Sequence, residues 1–181
     1  LAAYGQVTNL GVELAHKQQP TLKNGDTIKI VLLDNKGDKV ETATATTRLI
    51  SSDKVVAILG ALTSTNTAQA IAIADKKEIP VIASVATNDQ LTAKREFANR
   101  VCFTDSFQGE VVANYAKAQA YKTAVVVVDQ SQVYSLGLAK AFETAFKKNG
   151  GEIVKTIKIT SGDKDFKAVV SQIKETNPDF M

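Results

Sequence analysis

Cysteine, histidine and tryptophan are nearly or wholly missing from this sequence of 181 residues. It has one cysteine, Cys102, one histidine, His16, and no tryptophan. A single cysteine excludes an intrachain disulfide, and its place in the apolar run Val101–Phe103 predicts a small buried residue. His16 lies off the apolar side of the first predicted helix, so we expect it to face solvent. No group of His and Cys residues has the spacing of a metal site.

Long apolar runs and clusters of charge are also missing. No run approaches the ~20 apolar residues that a helix needs to cross a bilayer. The net charge is +3, from 22 basic and 19 acidic residues, and the lysines are scattered along the chain. Nucleic-acid binders carry a basic stripe with aromatic residues, so the sequence argues against that class. The chain opens without a basic and apolar leader, as a mature or trimmed chain would.

Short apolar, β-branched segments alternate with segments of helical period along the whole chain. The predicted strands are Thr27–Leu33, Val55–Leu59, Pro80–Ser84, Arg100–Phe103, Thr123–Val128 and Ile153–Ile159. The predicted helices carry apolar residues three and four apart, within 7–14, 43–50, 68–72, 107–115, 138–146 and 166–173. Two of the strands are apolar on both sides, which is typical of a parallel sheet covered by helices on both faces. The pattern predicts an α/β, doubly wound, Rossmann-like fold.

Two irregularities in this alternation indicate how the chain is organised. The polar stretch Asn88–Asn99 interrupts it, so we expect a new sheet after Phe103 and two lobes, residues 1–104 and 105–181. No strand precedes the first helix, and Asn177–Met181 looks like the start of another strand. We therefore expect this sequence to be a piece of a longer chain.

Ligands of doubly wound sheets bind beyond the carboxyl ends of the strands, so the loops there are the candidate site. They are Gly60–Thr67, Ala83–Asn88 and Asp129–Tyr134. The first is rich in hydroxyl groups and leads into a helix, where backbone N–H groups and the helix dipole suit a carboxylate. Ser and Thr are also the preferred N-cap residues, so capping is the alternative interpretation.

Catalytic motifs are absent from these loops. No G-x-G-x-x-G follows a strand, and neither a phosphate loop nor a nucleophile elbow occurs. Three aspartates lie near the carboxyl ends of predicted strands: Asp34, Asp38 and Asp129. Two of them could hold Mg²⁺, or each could simply cap a loop. Hydroxyls, amides and tyrosines without a general base suit ligand binding better than catalysis. We therefore expect a binding protein, with no enzyme activity and no cofactor or metal.

An ordered set of short segments resembles one known family. They are Leu1–Gln6, Val55–Gly60, Thr63–Thr65, Val81–Asn88, Leu91–Thr92, Arg100–Gly109, Tyr134, Gly137–Ala139 and Gly162–Phe166. In order and spacing the sequence resembles the leucine/isoleucine/valine-binding proteins, the periplasmic-type solute receptors of bacterial branched-chain amino-acid importers of the ABC class. The resemblance implies a type I periplasmic-binding-protein fold of two lobes that close on an amino acid.

The resemblance also implies roles for individual residues. Ser64 and Thr87 would hold the ligand carboxylate. The carbonyl of Val85, or of its neighbour Ala86, would receive the ammonium together with the Thr87 hydroxyl. The remaining residues would border the ligand or close over it, and these are Leu62, Thr63, Tyr4 and Tyr134.

This chain departs from the family pattern in two respects. Family members commonly have Ser-Pro where Ala83-Ser84 and Val85 stand, so Val85 would narrow the pocket. They also take an acidic ligand-binding residue and further aromatics from segments that lie beyond residue 181. These departures leave the preferred ligand side chain open.

The resemblance gives expectations for location and partners. The protein would be extracytoplasmic, either periplasmic or anchored by a lipid-modified cysteine upstream of Leu1. It would dock on an ABC permease in the membrane and be a monomer when full length. Two alternatives remain: the same fold with another ligand (an amide, a short peptide, another amino acid or an aromatic acid), or an α/β enzyme that depends on Mg²⁺ or a nucleotide.

Overall fold

The computed structural model describes residues 2–181, in which helices alternate with short strands. The helices are α1 (Ala2–Gln18), α2 (Lys39–Ser51), α3 (Ser64–Ala74), α4 (Asp105–Ala118), α5 (Val133–Lys148) and α6 (Lys167–Thr176). The strands are β1 (Ile58–Leu59), β2 (Val81–Ala83), β3 (Ala98–Arg100), β4 (Thr123–Asp129) and β5 (Glu152–Ile159). Short 3₁₀ helices span Asp75–Lys77 and Asp89–Leu91. All six predicted helices are present.

The strands form two parallel sheets, as the sequence predicts. In the first, β2 lies between β1 and β3, with Ile58 beside Val81 and Val81 beside Ala98. In the second, β4 pairs with β5, and Ala124 also forms a parallel bridge with Phe180. Parallel strands joined through helices confirm the α/β fold class.

The chain divides into two compact units. One unit holds the residues up to Ala86 together with Lys94–Cys102, and the other holds Thr87–Ala93 and Phe103–Met181. The segment Thr87–Ala93 thus belongs with the later part of the chain. The predicted boundary after residue 104 concerns the domains of the whole protein and stays a prediction.

Two strand predictions are wrong. The segment Thr27–Leu33 forms no strand; only Thr27 makes an isolated bridge, with Thr21. A strand needs a partner for its N–H and C=O groups, and no neighbouring strand within residues 2–181 pairs with this segment. The third strand of the first sheet is Ala98–Arg100 and not Arg100–Phe103, because β2 ends at Ala83, opposite Arg100.

The core of the second unit forms where α4 and α5 cover β4. Its buried apolar residues are Ala113, Ala116, Ala124, Val126, Val128, Phe142 and Phe146. Gly109 lets the two helices approach closely, since a Cβ there would lie 2.6 Å from the backbone nitrogen of Phe142. The small residues of α4 therefore face the core, while Phe107, Val111 and Tyr115 stay more than half exposed.

The apolar side of α1 is likewise exposed. Val7, Leu10 and Leu14 are exposed, and no residue of this helix is buried. His16, predicted to face solvent, is half-buried, and its Nε2 lies 2.9 Å from the backbone oxygen of Ile28. Among residues 2–181, no helix is both long and apolar enough to cross a membrane.

Candidate functional site

The loop after β1 is fastened to the start of α3. It begins at Gly60, whose φ of +117° is a conformation that suits glycine. Thr63 is the N-cap residue: its Oγ1 accepts from the backbone N–H of Asn66 at 3.2 Å, and its carbonyl accepts from that of Thr67. The Thr67 hydroxyl in turn donates to the carbonyl of Ala61. The capping interpretation therefore holds for Thr63.

The two residues that flank Thr63 differ in exposure. Ser64, the first residue of α3, is 2% exposed, whereas Leu62 is half-buried. Helix α1 lies beside Leu62, since a Cβ on Gly5 would be 3.9 Å from Leu62 Cδ1. Tyr4 precedes that glycine in the same helix and is 61% exposed. Tyr4 is therefore helical and near the loop after β1, with its side chain largely in solvent.

In the loop after β2, the carbonyl groups of Val85 and Ala86 differ in their hydrogen bonding. The carbonyl of Ala86 accepts from Arg100 Nη1 at 3.3 Å and from the Cys102 thiol at 3.4 Å. Within residues 2–181, no donor contacts the carbonyl of Val85. Cys102 is half-buried and bonded, so the prediction of a simply buried residue is wrong. A carbonyl that already accepts from a guanidinium is poorly suited to an ammonium group, which favours Val85 over Ala86.

The first sheet brings these two loops to one edge. Leu59 lies beside Ile82 in the parallel pair of β1 and β2, so the loops that carry Ser64 and Val85 leave the sheet on the same side. Arg100 ends β3 at that edge. The first unit therefore places the helix start at Ser64 next to the carbonyl-bearing loop.

The other two predicted site residues, Thr87 and Tyr134, both lie in the second unit. Thr87 is 7% exposed, and its carbonyl accepts from the backbone N–H of Asp105 at 2.9 Å. Tyr134 is in the first turn of α5 and 40% exposed, and its hydroxyl accepts from Gln108 Nε2 at 3.4 Å. A loop residue and a helix residue far apart in sequence thus share one compact unit.

The three aspartates considered for Mg²⁺ each cap a loop or a helix. Asp34 accepts from the backbone N–H of Lys36 at 2.8 Å. Asp38 caps α2, and the backbone N–H of Glu41 contributes most to lowering the pKa of its carboxyl below the usual value. The Asp129 carboxylate accepts from the hydroxyls of Ser131 and Ser161, which lie in two different loops. No group of three or more His, Cys, Asp or Glu residues in the described part of the chain could hold a metal.

Sequence reasoning assigned no role to several residues that hold these loops. Arg100 belongs to a segment that matches the family, and in the structure it donates to the carbonyl of Ala86. Asn88 donates to the carbonyl of Val133, the residue before Tyr134, at 3.2 Å. No sequence signal identifies either contact, because both depend on which loops fold together.

Comparison with known proteins identifies related chains. The profile of the family described as periplasmic binding protein matches residues 1–181. A Leu/Ile/Val-binding protein of Escherichia coli (strain K12) is 31% identical over 158 residues, which are 87% of this chain and 43% of that protein. The chain thus spans less than half the length of the curated relatives it matches.

Solved structures show the same fold. A leucine-binding protein from Thermotoga maritima is 37% identical, with a TM-score of 0.94 over 99% of this chain and 51% of that one. A branched-chain amino acid transporter substrate-binding protein from Streptococcus pneumoniae, in complex with isoleucine, is 36% identical, with a TM-score of 0.83 over 96% and 50%. A solute-binding protein of R. palustris in complex with benzoate is 25% identical, with a TM-score of 0.85 over 97% and 49%.

Proposed function

Because this chain belongs to the periplasmic binding protein family, we propose that its protein is an extracytoplasmic solute-binding protein of an ABC importer. We propose a branched-chain or similar aliphatic amino acid as its ligand. The observation that carries this proposal is the shared sheet edge, where the helix start at Ser64 and the carbonyl of Val85 emerge from neighbouring parallel strands. A helix start suits a carboxylate and a carbonyl suits an ammonium, and an amino acid presents both groups.

Each proposed contact has a physical reason. Ser64 begins α3, so its hydroxyl lies at the positive end of the helix dipole, which favours a carboxylate. The carbonyl of Val85 would accept from the ammonium, because the carbonyl of Ala86 already accepts from Arg100. The family resemblance also assigns the Thr87 hydroxyl to the ligand. Leu62 would supply part of the apolar wall for the ligand side chain.

The mechanism we propose involves binding without covalent chemistry. In the full-length protein, the ligand would bind between two lobes, and Tyr4 and Tyr134 would close over it. Binding would shift an equilibrium between open and closed forms, and the closed form would dock on the permease. Such a shift requires that the ligand bind the closed form more tightly than the open one.

Calorimetric titration of the full-length protein with leucine, isoleucine, valine and alanine tests this function. We expect the branched-chain set to bind, and Ser64→Ala or Thr87→Ala to weaken binding by about 10- to 100-fold, as expected for lost hydrogen bonds to a charged group. Thr44→Ala is the matched control, since Thr44 is exposed on α2 and donates only to the carbonyl of Val40. A folded protein that binds none of the four amino acids would refute the proposal.

The benzoate complex of the R. palustris protein favours a second candidate ligand, an aromatic acid. Such a ligand presents a carboxylate but no ammonium group, so it has no donor for the carbonyl of Val85. Titration with benzoate and with 4-methylpentanoate, which is leucine without its amino group, separates the two candidates. Tight binding of leucine with weak binding of 4-methylpentanoate supports an amino-acid receptor, whereas the reverse order or tight binding of benzoate supports the aromatic or simple acid.

A further inference from the structure

The segment that starts at Thr87 is fastened to the beginning of α4. The carbonyl of Thr87 accepts from the backbone N–H of Asp105 at 2.9 Å. Two residues further on, the carboxylate of Asp89 accepts from both the backbone N–H and the hydroxyl of Ser106, at 3.0 and 2.6 Å. Three hydrogen bonds therefore hold the backbone around Thr87 to one helix end.

Asn88 connects the same segment to the beginning of α5. Its Nδ2 donates to the carbonyl of Val133 at 3.2 Å, while its Oδ1 accepts from the backbone N–H of Gln90 at 3.0 Å. Asn88 is 7% exposed, so its amide is withdrawn from water. Its sequence neighbour on one side is Thr87, and the residue after Val133 is Tyr134. One buried side chain thus joins the backbones next to two predicted ligand contacts.

Gly137 provides the space for this connection. A Cβ at this position would lie 2.2 Å from Asn88 Nδ2 and 2.4 Å from Asp105 Oδ2. Real Cβ atoms do not approach other atoms so closely, and therefore a larger residue at 137 would displace one or both side chains. The φ of Gly137 is not positive, so space and not backbone conformation explains the glycine here.

We propose that Asn88 is a positioning residue of the ligand site, which holds Thr87 and Tyr134 at a fixed separation. Gly137 is required for this role, because it leaves space for the Asn88 side chain. The proposal rests on the proposed function, because it assumes that Thr87 and Tyr134 bind the ligand. All of these residues belong to the second unit. The separation of the two contacts would then be set before the ligand arrives, which lowers the entropy cost of binding.

The test is a set of variants of the full-length protein, each titrated with leucine. Asn88→Ala removes the amide contacts to Val133 and Gln90, and Asn88→Asp keeps an acceptor for Gln90 but loses the donor to Val133. We expect both substitutions to raise Kd by about tenfold, the effect of one or two lost neutral hydrogen bonds. Asn149→Ala is the matched control, since Asn149 is half-buried and donates to Asn114 at 2.9 Å in a solvent-exposed hydrogen bond.

Gly137→Ala should raise Kd to a similar degree while Asn88 is present. In the Asn88→Ala background the same substitution should cost less, because the Asn88 amide no longer occupies the space. Gly11→Ala is the matched control, a helical glycine whose Cβ would meet nothing within 4 Å. Equal and independent costs of Gly137→Ala in the two backgrounds would overturn the role of the glycine.

A double-mutant cycle separates positioning from a general effect on stability. Tyr134→Phe removes the hydroxyl of Tyr134. We expect this substitution to raise Kd less in the Asn88→Ala background, because the hydroxyl of a displaced Tyr134 contributes less to ligand binding. Additive effects, or a lower melting temperature with unchanged Kd, would show that Asn88 is only structural and overturn the inference. A wild-type protein that binds no leucine would overturn the proposed function, and this inference with it.

Discussion

Thr123 and Asp179 bond to each other in both directions, although 56 positions separate them in the sequence. The Asp179 carboxylate accepts from the backbone N–H of Thr123 at 2.9 Å and from its hydroxyl at 3.1 Å, and the backbone N–H of Asp179 donates to that hydroxyl at 3.0 Å. The backbone N–H of Lys122 also donates to Asp179, at 2.8 Å. These bonds fix the register in which Phe180 bridges to Ala124.

We therefore expect Asp179→Ala to lower the melting temperature by a few degrees. Asp179→Asn should do less harm, because an amide oxygen can still accept from Lys122 and Thr123. Glu175→Ala removes an exposed acidic residue nearby and serves as the control for lost charge. Thermal unfolding followed by circular dichroism measures the effect, and equal melting temperatures for Asp179→Ala and Glu175→Ala would contradict the expectation.

The carboxyl of Asp129 provides a prediction for pH. Its pKa lies below the usual value, chiefly because the Ser131 hydroxyl donates to it, and next because the Ser161 hydroxyl does. A lowered pKa in the folded state means that the carboxylate stabilises the fold above the unfolded pKa, which is about 4. This stabilisation is lost as the pH falls through the folded pKa.

Ser131→Ala should raise the pKa of Asp129 toward its usual range, and Ser161→Ala should raise it less. Carboxyl carbon chemical shifts measured between neutral and acid pH give the pKa directly. Ser171→Ala, on the exposed side of α6, is the control. A pKa that stays the same in both variants would show that these hydroxyls do not stabilise the carboxylate.

Thr63 tests whether a residue at the candidate site acts by capping. Its hydroxyl accepts from the backbone N–H of Asn66, so Thr63→Ala should lower the free energy of unfolding by ~1 kcal/mol. Thr63→Ser keeps the acceptor and should restore most of the loss. Chemical denaturation gives the free energies, and the Kd for leucine should change less than in Ser64→Ala. A large loss of affinity with unchanged stability would assign Thr63 to the ligand.

The close approach of Gly151 and Phe146 predicts that a larger residue at 151 would destabilise the core of the second unit. A Cβ on Gly151 would lie 2.4 Å from Phe146 Cε1, and the ring is only 1% exposed. Gly151→Ala should therefore lower the free energy of unfolding by about 1–3 kcal/mol, as overpacking does. Phe146→Leu in the same chain should relieve part of the Gly151→Ala penalty. Denaturation of the single and double variants measures this, and strictly additive losses would contradict a clash.

The sequence predicted the helices well, and the apolar faces of two of them poorly. Helix positions follow from local period and capping; Thr104 caps α4, and Gly150 after α5 has a positive φ. Which side of a helix is covered depends on its neighbours. On α4 the close approach at Gly109 turns the small residues to the core, so the larger Phe107 stays exposed.

Strand bounds were predicted less well, because a strand is defined by its partner. The segment Thr27–Leu33 has the composition of a strand and forms only one bridge. Arg100 ends β3 because Ala83 ends β2 beside it. The parallel order of the strands was predictable from continuous apolar runs, which are typical of parallel sheets. The covering of both faces does not hold for the first run, in which Val56 is 85% and Leu59 60% exposed.

The sequence by itself determined the family, the fold class and the two hydroxyl-bearing loops. Each of these follows from residue types and from the order of short motifs along the chain, which do not depend on which segments meet in space. Only the tertiary structure decided that the carbonyl of Ala86 is bonded to Arg100 and that Asn88 reaches the start of α5. The physical reason is that hydrogen bonds of buried groups depend on which backbones meet in space. Gly137 is one of ten glycines in the sequence, and only the tertiary structure shows that it leaves space for the Asn88 side chain.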